Sequence, residues 1–201
     1  MGKRVNSVLK ENLKFFNKVA KFYDLINFWF GIVLFRLIKE VQIKNNSTIL
    51  DAGCGTGSFL KILSKNKTLK LYGIDVSRKM LEIEKKKLKN RAKLSLTPVE
   101  KIGYKNKFDY LFSIIAMHHY SDHEKAIKNF YQSLKNNGNL IILDVDLGKS
   151  LNRVFHRIEP ANTRIYSKEE IYELLKKYKF KNIQQKRLCL LFLLNVGKKT
   201  L

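Results

Sequence analysis

The stretch Asp51-Ala52-Gly53-Cys54-Gly55-Thr56-Gly57 has the residue types and spacing of a site for a small molecule. It follows the β-favouring run Thr48-Ile49-Leu50 and leads into a helical pattern that starts at Phe59. Three glycines at alternate positions let the backbone turn tightly and approach a ligand, because no Cβ stands in the way. The acid at the end of the strand adds a negative charge, which suits a ligand that carries a cation such as an amino group.

Two other kinds of glycine loop fit this stretch poorly. A P-loop ends in Gly-Lys-Ser/Thr, and the chain has no such run. In a dinucleotide fingerprint the third glycine comes one residue later than Gly57, and Asp51 would repel the pyrophosphate. A βα turn without a ligand does not need three glycines, since each costs conformational entropy on folding.

A second acid, Asp75, stands 18 residues past Gly57, at the end of the strand-like run Leu69–Ile74. An acid about 20 residues after a glycine loop is placed to bind two ribose hydroxyls. Val76 beside it offers an apolar surface for a purine. The alternative is that Asp75 caps a helix that starts near Ser77.

Together these residues resemble the class I S-adenosylmethionine-dependent methyltransferases, and the resemblance runs from about Phe15 to Lys199. The resemblance implies an α/β fold: a doubly wound, Rossmann-like sheet of seven strands, mostly parallel with the last strand antiparallel. It also implies S-adenosyl-L-methionine as cofactor, with Asp51 and the glycines at its methionine end and Asp75 at its ribose. The candidate cofactor-binding residues are Tyr23, Asp51, Ala52, Gly53, Cys54, Gly55, Gly57, Asp75, Val76, Val99, Glu100 and Ile115.

A narrower resemblance lies in Val19–Asp24 and the following Leu25-Ile26-Asn27. This run is similar to the N-terminal signature of the ubiquinone/menaquinone-biosynthesis C-methyltransferases, a type 11 group. The resemblance implies that Tyr23 lies near the cofactor. Many small-molecule methyltransferases share the signature, so it does not fix the substrate.

The chain departs from the family at Pro98, where many members have an acid that holds the adenine amino group. Proline cannot do this. Val99 can still offer its backbone N–H to the ring, and Glu100 is the nearest acid.

The candidate catalytic residues are His118 and His119, which follow an apolar run, Tyr110–Ile115, typical of a central parallel strand. Ligands of open α/β sheets bind beyond the carboxyl ends of the strands, so this loop faces the site. Histidine takes up a proton near neutral pH, which suits a base or a group that orients the acceptor. Alternatively, either ring packs against or caps the following helix.

Further residues are expected on the substrate side of the site. The segment 147–166 lacks periodicity and stands where the family places substrate-specific insertions. Asp144 and Asp146, at the end of the predicted strand 140–144, could orient an acceptor but are interpreted as solvated turn residues. No metal site is predicted. The substrate-side candidates are Trp29, Met117, Tyr120, His156 and Arg164.

Composition indicates one ordered globular unit of 201 residues with a net charge of +23. The charge favours phosphate-bearing partners or an anionic membrane surface, but lysines on solvated faces explain it equally well. Two cysteines and the lack of a visible signal peptide favour a cytoplasmic protein. The apolar run 22–35 is too short and interrupted to span a bilayer, although an interfacial helix would make the protein membrane-peripheral.

The remaining pattern divides the chain into a helical cap, 1–45, and a cofactor-binding domain, 46–201, that form one folding unit. Helices are predicted over 8–40 and 77–90, and capping boxes at Ser121–Glu124 and Ser167–Glu170. The other predicted strands are 92–96, 140–144, 180–187 and 190–196, with a turn at 136–139.

The hypothesis is methyl transfer to a small, apolar or aromatic acceptor, with a quinone among the possibilities. The alternatives are an RNA methyltransferase, which the charge suggests, and a non-catalytic cofactor-binding module, which Pro98 suggests. Methyltransferases that modify exocyclic amines of nucleic-acid bases usually carry the motif Asn/Asp-Pro-Pro-Tyr/Phe. This motif is absent, because the chain's two prolines, Pro98 and Pro160, are not adjacent. The sequence does not indicate the oligomeric state.

Overall fold

The computed structural model describes residues 30–146, 148 and 164–200. The helices in these ranges are α1 (Phe30–Val41), α2 (Ser58–Leu63), α3 (Arg78–Leu88), α4 (His123–Ser133) and α5 (Lys168–Lys177). The strands are β1 (Thr48–Ala52), β2 (Lys70–Asp75), β3 (Ala92–Leu96), β4 (Phe108–Ile114), β5 (Leu134–Val145), β6 (Phe180–Cys189) and β7 (Phe192–Lys199).

The seven strands form one sheet in the order β3-β2-β1-β4-β5-β7-β6. Strands β1 to β5 pair in parallel, and β7 lies antiparallel between β5 and β6. This arrangement confirms the predicted Rossmann-like sheet with an antiparallel last strand. The carboxyl ends of β1, β2, β4 and β5 therefore meet along one edge, where open α/β sheets bind ligands.

Two apolar cores cover the two faces of the sheet, because successive strand residues point to opposite sides. In β5, Leu140 and Ile142 pack with α4 and α5, whereas Ile141 and Leu143 pack with α1 and α2. Helix α1 belongs to the second core through its buried Leu37. The predicted boundary between a cap, 1–45, and a domain, 46–201, stays a prediction.

Element bounds differ from the predicted ones by a few residues at most positions. The first part of the helix predicted over 8–40 lies outside the described residues. Strand β5 starts at Leu134 instead of Leu140, so the turn predicted at 136–139 falls within it. The pairing of β4 with β5 shifts from Phe108↔Leu134 to Tyr110↔Asn139, so the turn residues form an irregularity inside the strand.

The capping box predicted at Ser121–Glu124 is wrong, whereas the one at Ser167–Glu170 is confirmed. Asp122 caps α4 instead, and its side chain accepts a hydrogen bond from the Lys125 N–H. Ser121 is engaged elsewhere, because its N–H and hydroxyl both donate to Glu100 Oε1, at 2.9 and 2.7 Å.

Candidate active site

The glycine loop between β1 and α2 is a backbone cradle with no room for side chains. Gly53, Gly55 and Gly57 have φ angles of 78°, 56° and 79°, in the left-handed region that favours glycine. A Cβ on Gly53 would lie 2.6 Å from the Ala116 Cβ. The N–H groups of Gly53 and Cys54 donate to the Ile74 carbonyl, at 2.9 and 3.0 Å, which ties the loop to the end of β2.

Asp75, at the end of β2, organises the loop from the other side. Its carboxylate accepts hydrogen bonds from the Gly55 N–H, at 2.9 Å, and from the Ser77 N–H, at 2.8 Å. Burial raises the pKa of Asp75, and these backbone donors oppose the rise. The N-terminus of α3 is capped by the Ser77 hydroxyl, which accepts a hydrogen bond from the Met80 N–H, so Asp75 is not the N-cap.

A cavity of about 650 Å³ opens between the loop, the end of β2 and the segment that follows β4. Its lining includes predicted cofactor residues from four separate parts of the chain. They are Gly53, Gly55, Asp75, Val76, Val99, Glu100 and Ile115.

A second cavity, of about 560 Å³, adjoins the first and shares Gly53, Gly55 and Ile115 with it. Asp51, Cys54 and the apolar side chains Leu34, Phe59 and Ile114 also line it. Ile115 has a φ angle of 50°, a strained value for a β-branched residue, and strained backbone of this kind is concentrated at functional sites.

Asp51 is the clearest sign that this region receives a cation. It is 2% exposed, and its Oδ1 has no hydrogen-bond partner in the part of the chain that the structure describes. Burial, followed by the negative charge of Asp75, raises the pKa of Asp51 to about 8. A positively charged ligand group would satisfy the open oxygen and favour the ionised form.

Sequence reasoning missed Glu84, a buried acid beneath the loop. Its Oε2 accepts from the Cys54 thiol at 2.9 Å, and a Cβ on Gly57 would lie 2.4 Å from its Cγ. Burial raises the pKa of Glu84 to about 8. The spacing held a signal, because Glu84 stands four residues after Met80 and four before Leu88, both predicted to point inward.

The two candidate catalytic histidines occupy different environments. His119 lines the first cavity, whereas His118 is 3% exposed and lies behind it, with the two ring centroids 3.9 Å apart. The Nδ1 of His118 lies 2.5 Å from Asp144 Oδ1, and its backbone N–H donates to Asp144 Oδ2 at 3.1 Å. Burial alone would raise the pKa of Asp144, but the charge and hydrogen bond of His118 hold it below its usual value.

The interpretation of Asp144 and Asp146 as solvated turn residues is therefore wrong. Asp146 is 3% exposed, and its Oδ2 accepts from Arg187 Nη2 at 2.6 Å. Both carboxylates have a cationic or histidine partner supplied by a distant part of the chain, which a sequence pattern does not reveal. Within the described ranges, no three His, Cys, Asp or Glu side chains are grouped to hold a metal ion.

Tyr120 and Ala52 are joined at the base of the first cavity. The Tyr120 hydroxyl donates to the Ala52 carbonyl at 2.9 Å and lies 2.8 Å from the Ser113 hydroxyl. Tyr120 lines the cavity that holds the predicted cofactor residues, although it was assigned to the substrate side. Ala52 is fully buried, so its carbonyl supports the site through Tyr120.

The remaining candidates lie at some distance or outside the described residues. Met117 and Arg164 line a third, small cavity beside Asp144. Arg164 forms an exposed ion pair with Glu170 at 2.7 Å. Tyr23, Trp29 and His156 lie outside the described residues, and the roles assigned to all these side chains stay predictions.

Comparison with known proteins agrees with this architecture. Residues 50–142 match the protein family described as "Methyltransferase domain". The ubiquinone/menaquinone biosynthesis C-methyltransferase UbiE of Wigglesworthia glossinidia brevipalpis is 31% identical over 156 residues, which cover 69% of this chain and 60% of that protein. The demethylmenaquinone methyltransferase of Staphylococcus saprophyticus is 26% identical over 197 residues, which cover 88% of this chain and 83% of that protein. The chain thus spans about three fifths of the length of the first of these relatives.

A solved structure shares the fold over nearly the whole described chain. It is a crystal structure from Thermotoga maritima described as a SAM-dependent methyltransferase and possible histamine N-methyltransferase. It superimposes with a TM-score of 0.69 at 22% identity, over 90% of this chain and 98% of that one. The glycine cradle and the open oxygen of Asp51 fit S-adenosyl-L-methionine, the cofactor that the match to a methyltransferase domain implies. Residues 50–142 therefore form a methyltransferase domain of the S-adenosyl-L-methionine-dependent kind, and the chain is similar in sequence to the ubiquinone/menaquinone-biosynthesis and demethylmenaquinone methyltransferases.

Proposed function

We propose that this protein transfers a methyl group from S-adenosyl-L-methionine to a small, apolar acceptor of the quinol class. The observation that carries the proposal is the charge of the cavity linings. The chain has 40 lysines and arginines, yet none of them lines either of the two adjoining cavities in the described residues. The acids Asp51, Asp75 and Glu100 lie there instead.

Such a lining suits a cationic cofactor and a neutral acceptor. An acceptor that carries phosphates needs basic side chains near its backbone, so the RNA alternative has no support from these cavities. The apolar side chains Leu34, Phe59 and Ile114 offer contacts to an aromatic ring. The names of the two curated relatives, which specify ubiquinone, menaquinone and demethylmenaquinone, support the quinone class.

In this proposal the chain contributes binding, orientation and the removal of one proton. Asp75 would bind the ribose hydroxyls of the cofactor, and Asp51 would bind its amino group. When bound, the cofactor supplies an electrophilic methyl group. Methylation of a ring carbon would form a carbon–carbon bond while the bond between the methyl group and the sulfonium sulfur breaks, and its electron pair would stay on the sulfur, which leaves as a neutral thioether. The ring carbon would then lose its proton. His119, which lines the adjoining first cavity, accepts that proton. His118, fixed by Asp144, acts as a positioning residue for His119.

Transfer of a tritiated methyl group tests the proposal. The purified protein is incubated with labelled cofactor and either a prenylated 1,4-naphthoquinol that lacks the ring methyl group or total RNA. We expect label in the quinol alone, and none with Asp75→Ala. Label in RNA alone would overturn the choice of acceptor, and label in neither, with cofactor bound, would support the non-catalytic module.

A further inference from the structure

Four large apolar side chains are exposed on one surface beside the second cavity. Ile32 and Phe35 of α1 are 58% and 57% exposed, and Leu190 and Leu191, at the tip of the β6–β7 hairpin, are 87% and 47% exposed. We name these four residues the α1–hairpin patch. Arg36 joins the two elements, because its Nη1 donates to the Leu188 carbonyl at 3.1 Å.

The hairpin tip lacks the residue types that usually form a tight turn. Cys189 pairs with Phe192, so Leu190 and Leu191 form a two-residue loop. Such loops favour glycine, asparagine or aspartate with positive φ angles, and neither leucine has a positive φ. A leucine that is 87% exposed also contributes little to the apolar core. The two leucines are therefore better explained by contact with something outside the described residues.

Basic residues outnumber acids in the two elements that carry the patch. The segments 30–41 and 180–191 contain five basic residues and one acid, so their net charge is +4. Glu40 is the acid, and it is paired with Lys186 at 2.7 Å. Lys39 lies 4.7 Å above the Phe35 ring, so a cation borders the apolar surface directly. Apolar side chains next to such a cation suit an anionic lipid surface, which offers hydrocarbon below negative headgroups.

The patch lies at the same edge of the sheet as the active site. Phe192, which follows the tip, pairs with Val145 at the carboxyl end of β5. On α1, Leu34 lines the second cavity while the neighbouring Phe35 faces solvent. The helix thus contacts the cavity on one side and presents the patch on the other.

We infer that the α1–hairpin patch inserts into the surface of an anionic lipid bilayer and holds the second cavity against the membrane. The described residues contain no helix long and apolar enough to cross a membrane, so the contact would be interfacial. The inference does not depend on methyl transfer, because it rests on exposure, charge and position.

Vesicle co-sedimentation tests the inference with the full chain. The vesicles contain phosphatidylcholine alone or mixed equally with phosphatidylglycerol. We expect binding to the mixed vesicles, and at least about tenfold weaker binding for the double variant Phe35→Glu/Leu190→Glu. The matched control, Leu96→Glu/Tyr172→Glu, changes the net charge equally at two other exposed apolar side chains and should bind within about twofold of wild type.

Three results would overturn the inference. The first is no binding of the wild-type chain to mixed vesicles, and the second is an equal loss in the control, which would show that net charge alone matters. The third is a dimer that the patch variant converts to a monomer, measured by light scattering, which would assign the patch to a second copy. Circular dichroism and cofactor titration verify that each variant is folded.

Discussion

The cofactor half and the acceptor half of the site are built in different ways. The cofactor half consists of backbone from one continuous loop, residues 51–57, held by Asp75 at the next strand end. The acceptor half that we propose draws on side chains far apart in the chain, namely Leu34, His119 and, behind the histidines, Asp144. Backbone cradles depend on φ angles and tolerate no added atoms, whereas side-chain surfaces can change one residue at a time. The residues that bind the methyl donor are therefore close together in the sequence, whereas those proposed to bind the acceptor are not.

The largest effect should come from adding one carbon to the cofactor half. Gly53→Ala places a Cβ 2.6 Å from Ala116 on a residue with a φ angle of 78°. We expect a loss of about 2 kcal/mol or more in the free energy of unfolding and no measurable cofactor binding. Urea unfolding and calorimetry measure the two effects. Gly103→Ala is the control, since nothing lies within 4 Å of its added Cβ, and equal effects there would contradict the account.

A change in the acceptor half should lower the rate and spare cofactor binding. We expect His119→Ala to lower kcat by about 100-fold and to leave the Kd of the cofactor within about threefold. Asp144→Asn should lower kcat by about tenfold and shift the pH–rate profile, because it weakens the hydrogen bonds that position His118. His123→Gln is the control, because its ring packs on Tyr166 and lines neither cavity. Loss of cofactor binding with His119→Ala would break the distinction between the halves.

Glu84 gives the cofactor half a pH-dependent stability. Its pKa of about 8 in the folded chain exceeds the ordinary 4.5, so the folded state keeps a proton that the unfolded state loses. The contribution of Glu84 to the free energy of unfolding is therefore fully present below about pH 4.5 and falls as the pH rises to about 8. We expect Glu84→Gln to reduce this fall by about 1–2 kcal/mol in urea unfolding at pH 5 and 8. Exposed Glu82→Gln should leave it unchanged, and an unaltered slope in Glu84→Gln would refute the assignment.

The smallest effect is a proton released on cofactor binding. Asp51, with a pKa of about 8, is protonated at pH 6.5 in the free protein, and the cofactor's cationic amino group should favour its ionised form. Calorimetry at pH 6.5 in buffers of different ionisation enthalpy should show release of between half and one proton. Asp51→Asn should reduce the release towards zero. Wild-type release near zero would place the amino group elsewhere.

The sequence sufficed for the parts of the site that depend on local backbone. The glycine loop and Asp75 were found because strand, loop and acid stand in a fixed spacing along the chain. The spacing of Glu84 to Met80 and Leu88 indicates that it is buried, but its hydrogen bond from Cys54 could not be predicted, because the partner lies in another element. The same holds for Asp146, whose partner Arg187 is 41 residues away. Contacts of this kind are decided by packing across the sheet, which periodicity does not record.

The most direct test of the account is calorimetric titration of the folded chain with S-adenosyl-L-methionine. We predict one binding site in the wild type and about 100-fold weaker binding in Asp75→Ala, with Asp109→Asn, an acid at the opposite end of β4 from the site, as the control. Circular dichroism must show that all three proteins are folded. Absence of binding to the folded wild type, or equal binding by Asp75→Ala, would contradict the central claim.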